Sequence, residues 1–178
     1  MEERKISKPD LVIAVTGLLA FFSMFLPWWQ AYYDISYDNV NNTKWQDSVN
    51  GWNMSSGSGN VDKIVTGPLV WIPMLALTVL GLYALARVAA APRGLPDRNL
   101  YKVASVVGVL TVVLVAWRWH TYYFPPMPDN ASAFISAGVD YGTFIGLGCG
   151  FVVAVVSLLA LTPIVDLTPA QQPSEEED

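Results

Sequence analysis

Residues able to do chemistry are scarce in this chain, and their spacing limits them further. One histidine, His120, and one cysteine, Cys149, stand alone. His120 closes the cluster Trp117-Arg118-Trp119-His120, and Cys149 lies between Gly148 and Gly150 in an apolar run. No histidine pair for haem, no thiol pair for disulfide exchange and no Cys/His cage for zinc can be assembled from them. His120 reads as an interfacial anchor and Cys149 as a small packing residue. The hydroxyls Thr16, Ser23, Thr78, Ser105, Thr111 and Ser157 fall within apolar runs, where such groups bond back to their own helix. The carboxylates Asp34, Asp38, Asp47, Asp62, Asp129 and Asp140 are too irregularly spaced for the oxygen-rich loop that a hard cation requires. This reading expects no catalytic residue, no metal and no cofactor.

The elements that would position these groups are set by composition. The 178 residues are 53% hydrophobic and only 14% charged, too apolar for an ordinary soluble domain of this size. A net charge of −5 leaves no basic footprint for nucleic acid. Four apolar runs emerge, each near the roughly 17 to 25 residues needed to cross hydrocarbon. They are 11–29, 67–90, 103–119 and 142–161, flanked by an N-terminal segment 1–10, an outer loop 30–66, a link 91–102, a second outer loop 120–141 and an acidic tail 162–178. None has a charge at its centre, which removes the intramembrane carboxylate or base that proton-coupled transport uses. The expected fold is an all-α membrane protein, a bundle of four transmembrane helices.

Orientation follows from the basic residues. Arg4, Lys5 and Lys8 precede the first run, and Arg87, Arg93, Arg98 and Lys102 surround the short link, whereas the long loops hold only Lys44 and Lys63, with Arg118 at a border. The positive-inside rule then puts both termini and the link in the cytoplasm. All seven tryptophans fall in the outward loops or at outer helix ends, so Trp28, Trp29, Trp71, Trp117 and Trp119 are expected as interfacial aromatics in the headgroup zone.

Gly142, Gly146, Gly150 and Ala154 recur every four residues, a stripe that lets another helix approach closely, and Ala104 and Gly108 offer a similar notch. The stripe serves either packing within this chain or a partner subunit. Pro73 should kink the second helix. The stretch 31–40 is β-capable and predicts a small hairpin in the first outer loop. In the second, Asp129 is expected to cap a short helix over 131–137, with Phe134 and Ile135 dipping towards lipid.

A long first outer loop carrying Trp45 and Gly51-Trp52 resembles the claudin-type tetraspan pattern in topology, without that family's loop disulfide. Phe25-Leu26-Pro27-Trp28-Trp29 at the end of the first helix, followed by Gly51-Trp52, is similar to a group of small actinobacterial tetraspan membrane proteins. Some small actinobacterial membrane proteins are accessory subunits of the cytochrome bcc-aa3 supercomplex. The resemblance implies a multi-pass protein of the bacterial plasma membrane whose partners are other integral membrane subunits and phospholipids. The functional expectation is a non-catalytic accessory subunit; the alternative is a module that binds a lipid or envelope glycolipid.

Overall fold

The computed structural model describes residues 7–37, 41–52, 55–56, 68–90, 97–120 and 132–162. Its first helix, α1 (Lys8–Ser23), starts where Ser7 accepts a hydrogen bond from the Asp10 amide at 3.5 Å and Pro9 occupies the first turn, a position that tolerates proline because its N–H would have no helical partner. It ends in a tightened turn in which the amides of Met24, Phe25 and Leu26 each reach back three residues. Pro27 then stops the helix, since the residue before a proline is pushed towards extended backbone. The first apolar run is therefore shorter as a helix than 11–29. Pro27, Trp28 and Trp29 belong instead to a strand.

The remaining elements follow in the order β1 (Pro27–Tyr37), β2 (Asn41–Asn50), β3 (Ser55–Ser56), α2 (Pro68–Ala90), α3 (Arg98–His120), β4 (Ser132–Val139) and α4 (Tyr141–Leu161). The strands form one antiparallel sheet in the order β3-β2-β1-β4. The expected hairpin is thus part of a larger structure. It extends from Pro27 to Asn50, and the second outer loop joins it, with β4 pairing along β1 from Trp29↔Val139 to Ser36↔Ser132. This corrects the helix expected over 131–137. A single helical turn or two is marginal alone, whereas the edge of β1 offers this segment a full ladder of backbone partners. Asp129, its expected cap, lies outside the described residues.

The helices are packed inside out relative to a soluble bundle. Many large apolar side chains face outward, with Phe22, Val79, Trp117 and Phe151 each more than 60% exposed, while Ala20, Ala84, Ala104, Thr111 and Ser157 are fully buried. In water such a surface would be a continuous adhesive patch; in lipid it is ordinary, and small residues gather where helices touch. Three of the helices, Val70–Ala90, Arg98–His120 and Tyr141–Leu161, are long and apolar enough to cross a membrane. The chain is a helical, multi-pass membrane protein, with the sheet mounted at one end of the bundle. That end is called outer below, and the end holding Ser7, Arg87 and Asp97 inner.

Candidate functional site

The helices associate as two close pairs. In the first, α1 and α2 meet at Gly17 and Gly81, where a Cβ on Gly17 would stand 2.6 Å from the Gly81 Cα and from the Leu77 carbonyl oxygen. In the second, α3 and α4 meet at Gly108, where a Cβ would stand 2.7 Å from the Ala154 nitrogen and 2.8 Å from the Gly150 oxygen. Gly150 also receives the Thr111 methyl, and Ala104 is fully buried on the same side of α3. The lower half of the small-residue stripe therefore takes this chain's own α3.

Its upper half takes an aromatic ring. Trp28 lies at an irregularity in the β1 ladder, between the pairs Pro27↔Asn50 and Trp29↔Val49, and such a bulge re-aims a side chain out of the sheet. Its indole fills the notch left by Gly142 and Gly146, where added Cβ atoms would lie 2.6 Å from its Cδ1 and 2.5 Å from its Cη2. Indole Nε1 donates to the Ser23 carbonyl at 2.8 Å. The Trp28 carbonyl accepts from the Asp140 amide at 2.9 Å and from the Thr143 hydroxyl at 2.8 Å. One residue thus fastens the end of α1, the root of β1 and the start of α4. Gly51 completes the junction by donating its amide to the Met24 carbonyl at 2.9 Å, and Trp52 leans on Phe25 with ring centroids 6.0 Å apart.

Trp28 and Trp29, expected as interfacial aromatics, are instead 0% and 1% exposed, and neither presents its ring to the surroundings. The two rings lie in the protein core, because α1 stops short of them and the strand carries them inward over α4. Trp71 is partly buried against the core. Trp117 and Trp119 remain exposed at the outer end of α3, and Trp119 meets Phe144 edge-on at 5.6 Å.

At the inner end is a polar network that the sequence reading missed. Asp10, placed by that reading ahead of the first span, is the third residue of α1, and its side chain is 4% exposed. A carboxylate withdrawn from water to that extent needs compensation worth several kcal/mol, in order-of-magnitude terms about 3–5. Tyr101 donates its O–H to Oδ1 at 2.7 Å, and Arg87 Nε lies 3.3 Å from Oδ2. Arg87 also reaches Asp97 through Nη1 at 3.1 Å. Asp97 in turn caps α3, its Oδ1 accepting from the amides of Asn99 and Leu100 at 3.0 and 3.1 Å, where a negative charge also suits the helix dipole. Ser7 lies 3.1 Å from the Tyr101 hydroxyl. The network joins α1, α2 and α3 through two carboxylates and one guanidinium. The available signal was the capping pattern itself: Ser7 and Asp97 both stand three residues before a buried helical position.

The other candidates remain dispersed. His120 is exposed at the end of α3 and Cys149 is a buried free thiol. Among the described residues no three His, Cys, Asp or Glu side chains gather as a metal site would require. Asp34, Asp38, Asp47, Asp62 and Asp129 have side chains outside the described set, and Asp140 serves as the α4 cap, its carboxylate accepting from the Tyr141 amide at 2.7 Å. Ser23, Thr78, Ser105 and Thr111 hydroxyls return to carbonyls of their own helices at 2.7 to 2.9 Å. Comparison with known protein families and with curated proteins finds no match to this chain.

Proposed function

We propose that this chain is a non-catalytic accessory subunit of a larger bacterial plasma-membrane assembly, and that it crosses the membrane four times with the sheet on the outer side. The observation that carries this reading is how the polar groups of the bundle are used. Asp10, Arg87, Asp97, Tyr101 and Thr143 are each bound to another part of the same fold. Groups committed in this way hold shape, and catalysis needs groups with capacity left for a substrate. What the protein offers its surroundings is surface: apolar helix faces for lipid or neighbouring helices, and a sheet for a partner's outer domain.

For the fourth span, α1 has 16 residues, about 24 Å of helix at 1.5 Å per residue. Its outward stripe Leu11, Val15, Leu19, Phe22 and Phe25 continues through the tightened turn, which brings it near the hydrocarbon thickness of about 30 Å. Exposed Lys8, Arg98 and Lys102 lie at the inner end and exposed Trp117 and Trp119 at the outer, which supports a cytoplasmic inner end. The respiratory cytochrome bcc-aa3 supercomplex is the host we propose, on the resemblance of the Phe25–Trp29 and Gly51-Trp52 segments. The lipid-carrying alternative loses support from Trp28, whose ring is enclosed by α4 and out of a ligand's reach.

Affinity purification of the tagged chain in mild detergent tests the reading. Recovery with stoichiometric respiratory subunits is expected. Recovery only as a monomer or homo-oligomer, from membranes rich in those complexes, refutes it.

A further inference from the structure

The two ends of the bundle are joined by different chemistry. At the outer end the α1–α2 pair is tied to the α3–α4 pair by backbone: β1, which continues α1, forms a ladder with β4, which leads into α4. The buried side chains there are large, Trp28, Met24, Met74 and Val70. At the inner end α2 leads into α3 through residues 91–97, and the bonds between the pairs among the described residues are made by side chains. The bonds include Tyr101 to Asp10, Arg87 to Asp97, Ser7 to Tyr101, and Tyr83 to Asp97 at 3.5 Å. Buried positions at this end mix the small Ala84, Ala104, Ser105 and Ser157 with Ile13, Leu100 and Tyr101.

Two features separate this end from a permanently sealed core. Arg87 and Asp97 keep 23% and 22% of their side-chain surface accessible, so water can compete for the pair that links α2 to α3. Ser157, one turn beyond Ala154 on the inward face of α4, is fully buried, and its hydroxyl has no hydrogen-bond partner among the described residues. A buried hydroxyl left unsatisfied destabilises the state that contains it. Admitting water to Ser157 removes that penalty, so the closed arrangement is held against a hydrated alternative.

We infer that Asp10, Arg87, Asp97 and Tyr101 form a releasable latch between two helix pairs. When it opens, the pairs part at the inner end and pivot about the outer junction formed by the sheet and Trp28. The opening is a crevice that begins at Asp10 and Tyr101 and reaches Ser157. Local openings of this kind are drawn from regions whose polar bonds water can reach. This inference concerns motion within the chain and stands apart from the identity of any host complex.

The test uses the full chain in nanodiscs, with Cys149→Ala as background and one reporter thiol, Ser157→Cys or Ser23→Cys. Both parent positions are at most 1% exposed; Ser157 lies on the inner side and Ser23 beside the outer junction. A membrane-impermeant maleimide should label Ser157→Cys slowly with the latch intact. Arg87→Gln should accelerate that labelling about tenfold, the population shift that follows from losing the ion pairs of Arg87 with Asp97 and Asp10, while leaving Ser23→Cys protected. Tyr101→Phe, which removes one O–H without altering charge, should act in the same direction more weakly, and carries the test if Arg87→Gln fails to fold. Unchanged Ser157→Cys labelling in both variants overturns the latch. Parallel acceleration at Ser23→Cys overturns it too, because the whole bundle would then be loosening.

Discussion

Gly146 and Gly148 lie two residues apart in α4, and the same substitution should be costly at the first and tolerated at the second. A Cβ on Gly146 would stand 2.5 Å from Trp28 Cη2, 2.9 Å from Cζ2 and 3.4 Å from Met74 Sδ. Carbon atoms settle at about 3.5–4.0 Å, so the indole would have to retreat by about 1 Å. It has nowhere to go, because Nε1 is held to the Ser23 carbonyl and the Trp28 carbonyl to Asp140 and Thr143. Overpacking of this kind costs about 1–3 kcal/mol. A Cβ on Gly148 meets nothing within 4 Å, so Gly148→Ala should be neutral or stabilise by up to about 1 kcal/mol, the helix-propensity difference. The assay is unfolding in mixed micelles with rising SDS fraction, followed by tryptophan fluorescence. Helices persist in SDS, so the propensity contribution largely cancels and the packing cost remains. A Trp28→Leu background supplies the decisive comparison: with the ring gone, adding Gly146→Ala should cost less than about 0.5 kcal/mol, which gives a large coupling energy between the two positions. Equal stabilities for Gly146→Ala and Gly148→Ala, or no coupling to Trp28, would refute the placement of the indole in the glycine notch.

Three further outcomes follow from the same geometry. Gly81→Ala should destabilise by about 2 kcal/mol or more, since its Cβ would stand 2.7 Å from the Gly17 Cα and backbone cannot move aside as a side chain can; the same SDS titration reads it. Arg87→Ala should destabilise more than Asp10→Asn, because the first strands a carboxylate that is 4% exposed while the second leaves Arg87 its Asp97 partner and access to water; a difference of about 1–2 kcal/mol is expected, and the reverse order would show that Asp10 is not the buried member. Thr143→Val should cost about 1–2 kcal/mol by leaving the Trp28 carbonyl one donor short, with Thr143→Ser close to wild type in thermal stability.

The sequence made the helices legible and left the outer structure largely hidden, for different physical reasons. A membrane span announces itself in a single window of apolar residues, and α2, α3 and α4 each needed only that. The sheet is a non-local object. Val139 finds Trp29 across more than a hundred residues, and nothing within Ser132–Val139 says that an edge of β1 is waiting, so Phe134 and Ile135 read as well on a short helix. The stripe on α4 was visible as a period, but not what would fill it. Half of it receives α3, as helix packing suggests, and half receives a ring from a strand bulge that no periodicity encodes. Trp28 and Trp29 misled for the same reason: a tryptophan at the end of an apolar run has the composition of an anchor, and only the early stop of α1 turns it inward.

The inner network was missed through a boundary error with chemical consequences. Beginning the first span at Leu11 put Asp10 in water, where a carboxylate needs no explanation; beginning the helix at Lys8 puts it inside, where it must be explained by Arg87 and Tyr101. The pairing also bears on how the chain enters the membrane. Arg87 is three residues before the end of α2, and Asp10 is two after the start of α1, so the two charges lie at similar levels of antiparallel neighbours. Each would resist burial alone, and together they favour insertion of α1 and α2 as a unit, with Gly17 and Gly81 setting how closely that unit can close. A helix of only 16 residues gains most from such a partner. The charge that the sequence seemed to place outside the fold is thus part of what brings its shortest helix into it.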